Sequence, residues 1–212
     1  GEALIANAEI YNYRELRGSM NQVLFKTNSD CEVALHLYLQ YGIDFVRHLR
    51  GMYAIAIDDP SNERLVLARD PFGIKPLYYA ETQSGFIFGS ETSVFTKTGL
   101  IPAKILAERR DELLQLKFTT GRNTPFEGIY RVLPGEVLIV KKGRISERHK
   151  YPVLPDDGVR GLSEADALEI LDDYLMESVM LHQRADVEYG MFLSSGIDSA
   201  AILATMARLN VR

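Results

Sequence analysis

A chain of 212 residues has room for one large domain, or for one domain and part of another. With 46% hydrophobic and 25% charged residues it has the composition of a soluble globular protein, and no apolar run reaches the 18 residues that a membrane span requires. The formal net charge of −5 argues against nucleic acid as a main partner, and a single cysteine, Cys31, excludes an internal disulfide framework and fits a reducing cytoplasm.

The opening residues, GEALIANAEIYNYRELR, lack the basic, apolar, small order of a secretory leader. Residue 1 is Gly rather than Met, so the chain is expected to begin inside a longer polypeptide. Asn7, Glu9, Asn12 and Arg14 cluster after an apolar strand. A side-chain amide beside backbone N–H groups at a strand end can stabilise an oxyanion. Glu9 and Asp30 could bind an ammonium group. Polar residues at strand ends commonly serve turns as well, and the residues alone leave both readings open.

SDCEVALHLYLQYG reads as a helix ending at Gly42, with Val33, Leu37 and Tyr41 on one stripe. Cys31 lies near its start, but the flanking Asp30 and Glu32 oppose a thiolate, so a structural cysteine is expected rather than a nucleophile. Four strands follow in GMYAIAID (51–58), RLVLARD, PLYYA and GFIFGS, separated by the turn signals DPSNE, DPFGIKP and ETQSG. Short connections of this kind imply antiparallel sheets lying face to face. DPFGIKP, with Arg69 before it and Asp70 and Lys75 within it, is expected to be a structural turn, with a domain-interface role as the alternative. PAKILAERRDELLQLKF predicts another helix, with Ile105, Leu113 and Leu116 turned to the core and Arg109 and Arg110 in solvent. GEVLIVKKGRISERHKY predicts a hairpin about Lys142–Gly143. His36, His48, His149 and His182 show no metal-ligand spacing, so no metal site is expected.

Two prolines and two glycines gather among charges in PVLPDDGVRG, which marks a linker and sets the expected division: a first domain over 1–151, a linker over 152–162 and the start of a second domain over 163–212. After it, SEADALEILDDYLMESVMLHQR predicts an amphipathic helix. Ser163 and Asp166 form a capping-box pattern, and Leu168, Leu171, Leu175 and Val179 form its stripe. A strand (VEYGMFL), a loop (SSGIDS) and a helix (AAILATMARL) complete an α-β-α order that belongs to a parallel α/β layer.

The loop between that strand and helix has its own chemistry. Backbone N–H groups at a helix start favour anions. Gly196 permits close approach of a phosphate, Ser194, Ser195 and Ser199 add hydroxyls, and Asp198 can cap the helix or help hold a metal ion near the phosphates. No lysine follows as in a Walker A loop, and the Gly-x-Gly-x-x-Gly pattern is absent. The loop resembles the Ser-Gly-Gly-x-Asp-Ser pyrophosphate motif of the N-type ATP pyrophosphatases, with Ser195 in place of the first glycine.

Taken together, NAEIYNYRELR, NSDCEVALHLYLQYG, LRGMYAIAIDD, LVLARDPFGIKPLYY, FGSE and FEGIYRVLPGE resemble, in order, segments of the glutamine-dependent asparagine synthetases. RADVEYGMFLSSGIDSAAILA is similar to the start of their ATP-using domain. The resemblance implies an α+β fold: an N-terminal-nucleophile-hydrolase-like α-β-β-α sandwich with antiparallel sheets, followed by the beginning of an α/β ATP-pyrophosphatase-type domain. It implies glutamine, aspartate and ATP as substrates, Mg2+ with the ATP, and ammonia passing from glutamine to β-aspartyl-AMP. It places Asn7 and Ala8 at the oxyanion hole, Asn7, Ala8, Glu9 and Asp30 around glutamine, and Leu193, Ser194, Ser195, Gly196, Ile197, Asp198 and Ser199 on ATP. A cytoplasmic enzyme is implied, and a homodimer is compatible with it.

Three departures qualify the match. The family's nucleophile is an N-terminal cysteine whose free amine is the base, and residue 1 here is Gly. The arginine that grips the glutamine carboxylate would precede residue 1. The family's Asn-Gly-Glu is Asn-Ala-Glu, and Ala8 disfavours a positive φ. The 212-residue chain is therefore expected to be inactive by itself. Related amidotransferases with another acceptor, and a non-catalytic binding or scaffold relative, remain alternatives.

Overall fold

Strand β1 (Ala3–Ile10) runs on through Asn7, Ala8 and Glu9, so these residues lie within a strand rather than after its end. Cross-strand pairing explains this: Asn7 stands opposite Ala54, Ala8 opposite Tyr53 and Glu9 opposite Met52. The computed structural model describes residues 1–154 and 161–210. It divides into two units, Gly1–Leu154 and Pro155–Arg212.

In the first unit β1 leads into α1 (Tyr13–Ser19), α2 (Glu32–Tyr41) and a 3-10 segment, Gly42–His48. Gly42, at φ 58°, ends α2 where the sequence predicts. Then come β2 (Gly51–Asp59), β3 (Arg64–Arg69), β4 (Tyr78–Glu81) and β5 (Phe86–Gly89). Helices α3 (Thr92–Lys97) and α4 (Ala107–Leu116) precede β6 (Tyr130–Arg131), β7 (Glu136–Lys141) and β8 (Arg144–Lys150). The turn between β7 and β8 is the expected Lys142–Gly143 pair, with φ of 50° and 72°, the double left-handed geometry of a tight hairpin.

The strands form a five-stranded sheet in the order β1-β2-β3-β7-β8 and a three-stranded sheet in the order β5-β4-β6. Every pairing is antiparallel. Alternation along β2 decides the layers. Tyr53, Ile55 and Ile57 pack with Val33, Leu37 and Phe45 against the helices, whereas Ala54 and Ala56 meet Leu77, Tyr79 and Val132 between the sheets. A third cluster, Ala80, Phe95, Ile101 and Ile129, lies beneath the smaller sheet and includes α3. The result is the α-β-β-α sandwich. Each fully buried large side chain in it contributes roughly 1.5–3 kcal/mol.

Two buried polar knots lock the sandwich. The carboxylate of Asp70, fully buried, accepts N–H donors from Phe72, Ile74 and Lys75 at 2.9–3.1 Å, and the Arg69 guanidinium donates to the carbonyls of Lys75, Val132 and Gly73 at 2.6–2.7 Å. DPFGIKP is thus a structural turn. Gly73, at φ 65°, has no room for a Cβ, which would lie 2.8 Å from the Pro134 ring. Glu136 accepts two hydrogen bonds from Arg122 at 2.7 and 2.9 Å and one from the Leu133 N–H at 2.8 Å, with Arg148 at 3.4 Å.

The second unit holds α5 (Glu164–His182) and α6 (Ile197–Asn210). Ser163 caps α5: its hydroxyl accepts from the Asp166 N–H at 3.2 Å and donates to the Asp166 carboxylate at 2.7 Å. The bidentate Arg208–Asp172 pair, at 2.6 and 2.8 Å, ties α6 to α5.

Several expectations need correction. Leu113 and Leu116 are exposed, because α4 buries none of its residues, and Ile105, also exposed, lies before the helix in an isolated bridge to Phe126. On α5, Val179 is buried but Leu168 and Leu171 are exposed. Residues 187–193 form no strand. A parallel strand exists only by bonding to a neighbour, and the described residues of this unit offer none. Within the expected linker, 155–160 lie outside the described residues. No described helix is long and apolar enough to cross a membrane.

Candidate functional site

β1 is the end strand of its sheet, so one of its edges has no strand partner. The Tyr11 N–H donates to the Arg50 carbonyl at 2.8 Å. Because N–H directions alternate along an antiparallel strand, those of Ala8 and Ile10 point away from β2, to the open edge. Asp30 takes the second: its Oδ2 accepts the Ile10 N–H at 2.6 Å. The Ala8 N–H lies on the same edge two residues away, about 7 Å along the strand.

The side chains sort by the same alternation. Asn7, opposite Ala54, projects between the sheets and lines a cavity of about 240 Å³ with Ile5, Ala56, Leu77, Phe88 and Ser90. Its carboxamide hydrogen-bonds to no other described residue. Ala8 packs into the helix-side core. It takes ordinary extended backbone, since among the described residues the non-glycine ones with positive φ are Glu63, Lys117, Lys142 and Ser195. The conformational penalty expected of Ala8 is therefore absent: the position is a strand residue, and its N–H, not a special φ, is what the edge presents.

The second oxygen of Asp30, Oδ1, accepts the Cys31 thiol at 3.4 Å. Burial, reinforced by the Asp30 charge and more weakly by Glu9, pushes the Cys31 thiol up to about 11. That rules out a ready thiolate at neutral pH. It also puts Glu9, Asp30 and Cys31 in one electrostatic neighbourhood. Asn12 and Arg14 do not join them. The Asn12 side chain donates to the His48 carbonyl and accepts the Arg50 N–H, both at 2.9 Å, and Arg14 lies on Tyr13. Ser90 also lines the cavity, and its only signal in the sequence is its place just past a strand end in FGSE.

In the second unit the loop before α6 is held by its own hydroxyls. Ser194 Oγ and Ser199 Oγ are 3.0 Å apart, Ser199 donates to the Gly196 carbonyl at 3.0 Å, and the Gly196 N–H reaches Ser194 Oγ at 3.4 Å. Ser195 has φ 64°, the left-handed region that glycine occupies without cost. The first helical bond runs from the Ala200 N–H to the Gly196 carbonyl at 3.1 Å. The N–H groups of the turn before it have no intrahelical acceptor. A left-handed residue at a helix start, with two hydroxyls beside it, makes a concave donor array that suits a phosphate. Leu193 and Asp198 flank it, both exposed. Among the described residues no group of three or more His, Cys, Asp and Glu could hold a metal ion.

Two family models match the chain in separate stretches. The glutamine amidotransferase domain family matches residues 1–152, and the asparagine synthase family matches residues 171–212. The chain is 36% identical to asparagine synthetase [glutamine-hydrolyzing] 2 of Bacillus subtilis over 210 residues, covering 94% of this chain and 28% of that protein. It is 35% identical to amidase chry2 of Gibberella zeae over 209 residues, covering 97% and 31%. It thus spans about a third of the length of these relatives. Among solved structures, glutamine phosphoribosylpyrophosphate amidotransferase from B. subtilis, complexed with ADP and GMP, superposes with a TM-score of 0.53 at 21% identity. That match covers 98% of this chain and 43% of the other, and it shows the N-terminal-nucleophile-hydrolase type of fold.

Proposed function

The chain belongs to the glutamine amidotransferase family, and from that membership we propose that it supplies the ammonia-releasing layer and the first phosphate-binding element of an ATP-dependent, amide-forming enzyme of the asparagine synthetase kind. One observation carries this reading: a single chain pairs the open-edge site on β1 with the Ser/Gly cradle at the start of α6.

Glutamine would lie along the β1 edge. Its α-ammonium meets Glu9 and the Oδ1 of Asp30, which in its absence accepts the Cys31 thiol, and its side-chain carbonyl meets the Asn7 carboxamide and the Ala8 N–H. As the carbonyl carbon becomes tetrahedral, negative charge grows on its oxygen, and these two donors stabilise that charge more than they stabilise the planar substrate. In this reading the attacking thiol is the family's N-terminal cysteine rather than Cys31, whose thiol burial and the Asp30 charge push up to about 11, and the 212-residue chain is inactive alone.

ATP, when bound, supplies activation of the acceptor carboxyl, with AMP and pyrophosphate leaving. Ser194, Ser195, Gly196 and Ser199 with the first N–H groups of α6 would hold its phosphates, Leu193 and Ile197 would border them, and Asp198 is the carboxylate that would help hold a Mg2+ ion neutralising their charge. Aspartate is the acceptor in this reading, and the enzyme is cytoplasmic. A second acceptor stays in play, because relatives named as amidases match as well as those named as asparagine synthetases. Pyrophosphate–ATP exchange by the full-length protein tests this, with exchange expected on adding aspartate. Exchange with another acid alone would move the acceptor, and no exchange with any acid would overturn the reading.

A further inference from the structure

Resting on the reading of Asp30 as a ligand for the glutamine ammonium, we propose that Glu32 and Arg17 are positioning residues of that site, fixing the loop that delivers Asp30 to β1. Residues 25–29 turn back over the start of α2, and their backbone polar groups end on these two side chains. Glu32 accepts the Lys26 N–H on Oε1 at 2.7 Å, and the Thr27 N–H and hydroxyl on Oε2 at 2.7 and 2.6 Å. Arg17 donates to the carbonyls of Thr27 at 2.7 Å and Ser29 at 2.9 Å, and lies 3.7 Å from Glu32. Its guanidinium sits 4.2 Å over the Phe25 ring, and Phe25 meets the His36 ring edge-on at 5.0 Å. His36 closes the circle 3.5 Å from Glu32.

A helix-capping role would have Glu32 bond the first amides of α2. It bonds residues 26 and 27 instead, and Cys31 at the cap position makes no side-chain cap. What the pair holds is the loop, and Asp30 is the next residue, already committed through Oδ2 to the Ile10 N–H at 2.6 Å. Freeing the loop lets Asp30 leave β1, which takes Oδ1 away from the edge that carries the Ala8 N–H. The carboxylate of Glu32 matters for its two acceptor oxygens. In Glu32→Gln an amide nitrogen faces a donor on one side or the other, so the loop loses part of its anchor.

The test uses the full-length enzyme, assayed with glutamine and, separately, with an ammonium salt that bypasses glutamine hydrolysis. For Glu32→Gln, KM for glutamine should rise about tenfold, the effect of losing one hydrogen bond to a charged group. The ammonium-supported rate should stay unchanged. Thr27→Val, which removes the hydroxyl's bond to Glu32 and its weaker 3.2 Å acceptance of the Ser29 N–H but leaves both backbone bonds to Glu32, should raise KM by a smaller step and guards against a folding failure of the first variant. Asp30→Asn separates the two ideas. If it leaves KM for glutamine unchanged, the underlying site reading fails. If it raises KM while Glu32→Gln and Thr27→Val do not, the positioning proposal is overturned. Glu32→Gln combined with Asp30→Asn should cost no more than Asp30→Asn alone, because Glu32 acts through Asp30; additive losses would overturn the proposal.

Discussion

Replacing Glu136 with Ala should unfold the first unit earlier than any change to a surface charge. The carboxylate side chain is 5% exposed and faces Arg122 at 28% and Arg148 at 39% exposure. Its removal strands the Arg122 guanidinium and leaves the Leu133 N–H without its 2.8 Å acceptor. Breaking a buried pair by deleting one partner costs about 3–5 kcal/mol, and the partial exposure of Arg122 favours the lower end, about 3 kcal/mol. For a unit of this size each kcal/mol lowers Tm by about 2–4 °C, so a drop of roughly 9 °C is expected. Glu127→Ala provides the contrast: its bond to Lys104 is as short, 2.7 Å, but the side chains are 50% and 67% exposed, and the loss should stay below about 0.5 kcal/mol. Thermal unfolding of the 212-residue chain followed by circular dichroism and tyrosine fluorescence reads both, as the chain has no tryptophan. Equal shifts for the two variants would refute the reasoning that burial, not bond length, decides the outcome.

Ser195→Gly should relieve the left-handed backbone at φ 64° by about 1 kcal/mol and slow hydrogen exchange in the first turn of α6, whereas Ser195→Val should speed it; the same rate in all three forms would count against strain at this residue. Burial pushes the Glu32 carboxyl upward, but hydrogen bonds from Thr27, Lys26 and His36 outweigh it and hold it at about 2, against 4.5 when unfolded. The unfolded chain therefore binds the extra proton between those values, so this contribution is complete above about pH 4.5 and lost as pH falls towards 2. Glu112, also held at about 2 by Thr120 and Arg109, shares the window, and urea titrations of Glu32→Gln should show a shallower acid limb than the parent chain. Ala8→Gly, in the full-length enzyme, should change glutamine turnover by less than about threefold and lower stability by about 0.5–1 kcal/mol, because Ala8 carries no φ penalty and glycine weakens a strand; a large gain in turnover would show that the Cβ does obstruct the site.

Much of the sandwich was legible because its strands advertise themselves. The buried run of β2, the run of β7 and the Lys142–Gly143 turn are local signals, and so is the Ser163 cap of α5. Asn7, Ala8 and Glu9 could be picked out by residue type, yet their strand status depends on pairing with Met52–Ala54, more than 40 positions away. Helix α4 shows the limit of periodicity: Leu113 and Leu116 have helical spacing, but nothing in the unit covers that face. The Arg122–Glu136 and Arg17–Glu32 pairs were invisible for a related reason. They join residues 14 and 15 positions apart, and a charged residue carries no sequence mark of whether its partner is solvent or a buried guanidinium. The Ser195 conformation sits between these cases, since the motif predicts a glycine-like turn and the structure keeps the turn despite the serine.

The most direct test follows nitrogen. The full-length protein is supplied with glutamine labelled with 15N in its side-chain amide, an acceptor acid and Mg-ATP, and products are followed by NMR and nucleotide analysis. Label should appear in the acceptor's new amide, with one AMP and one pyrophosphate released per amide formed, and Asn7→Ala should abolish transfer from glutamine while sparing transfer from ammonium. Glutamine left intact, or ATP cleaved to ADP and phosphate, would contradict an ATP-dependent amidotransferase built on the β1 edge and the α6 cradle.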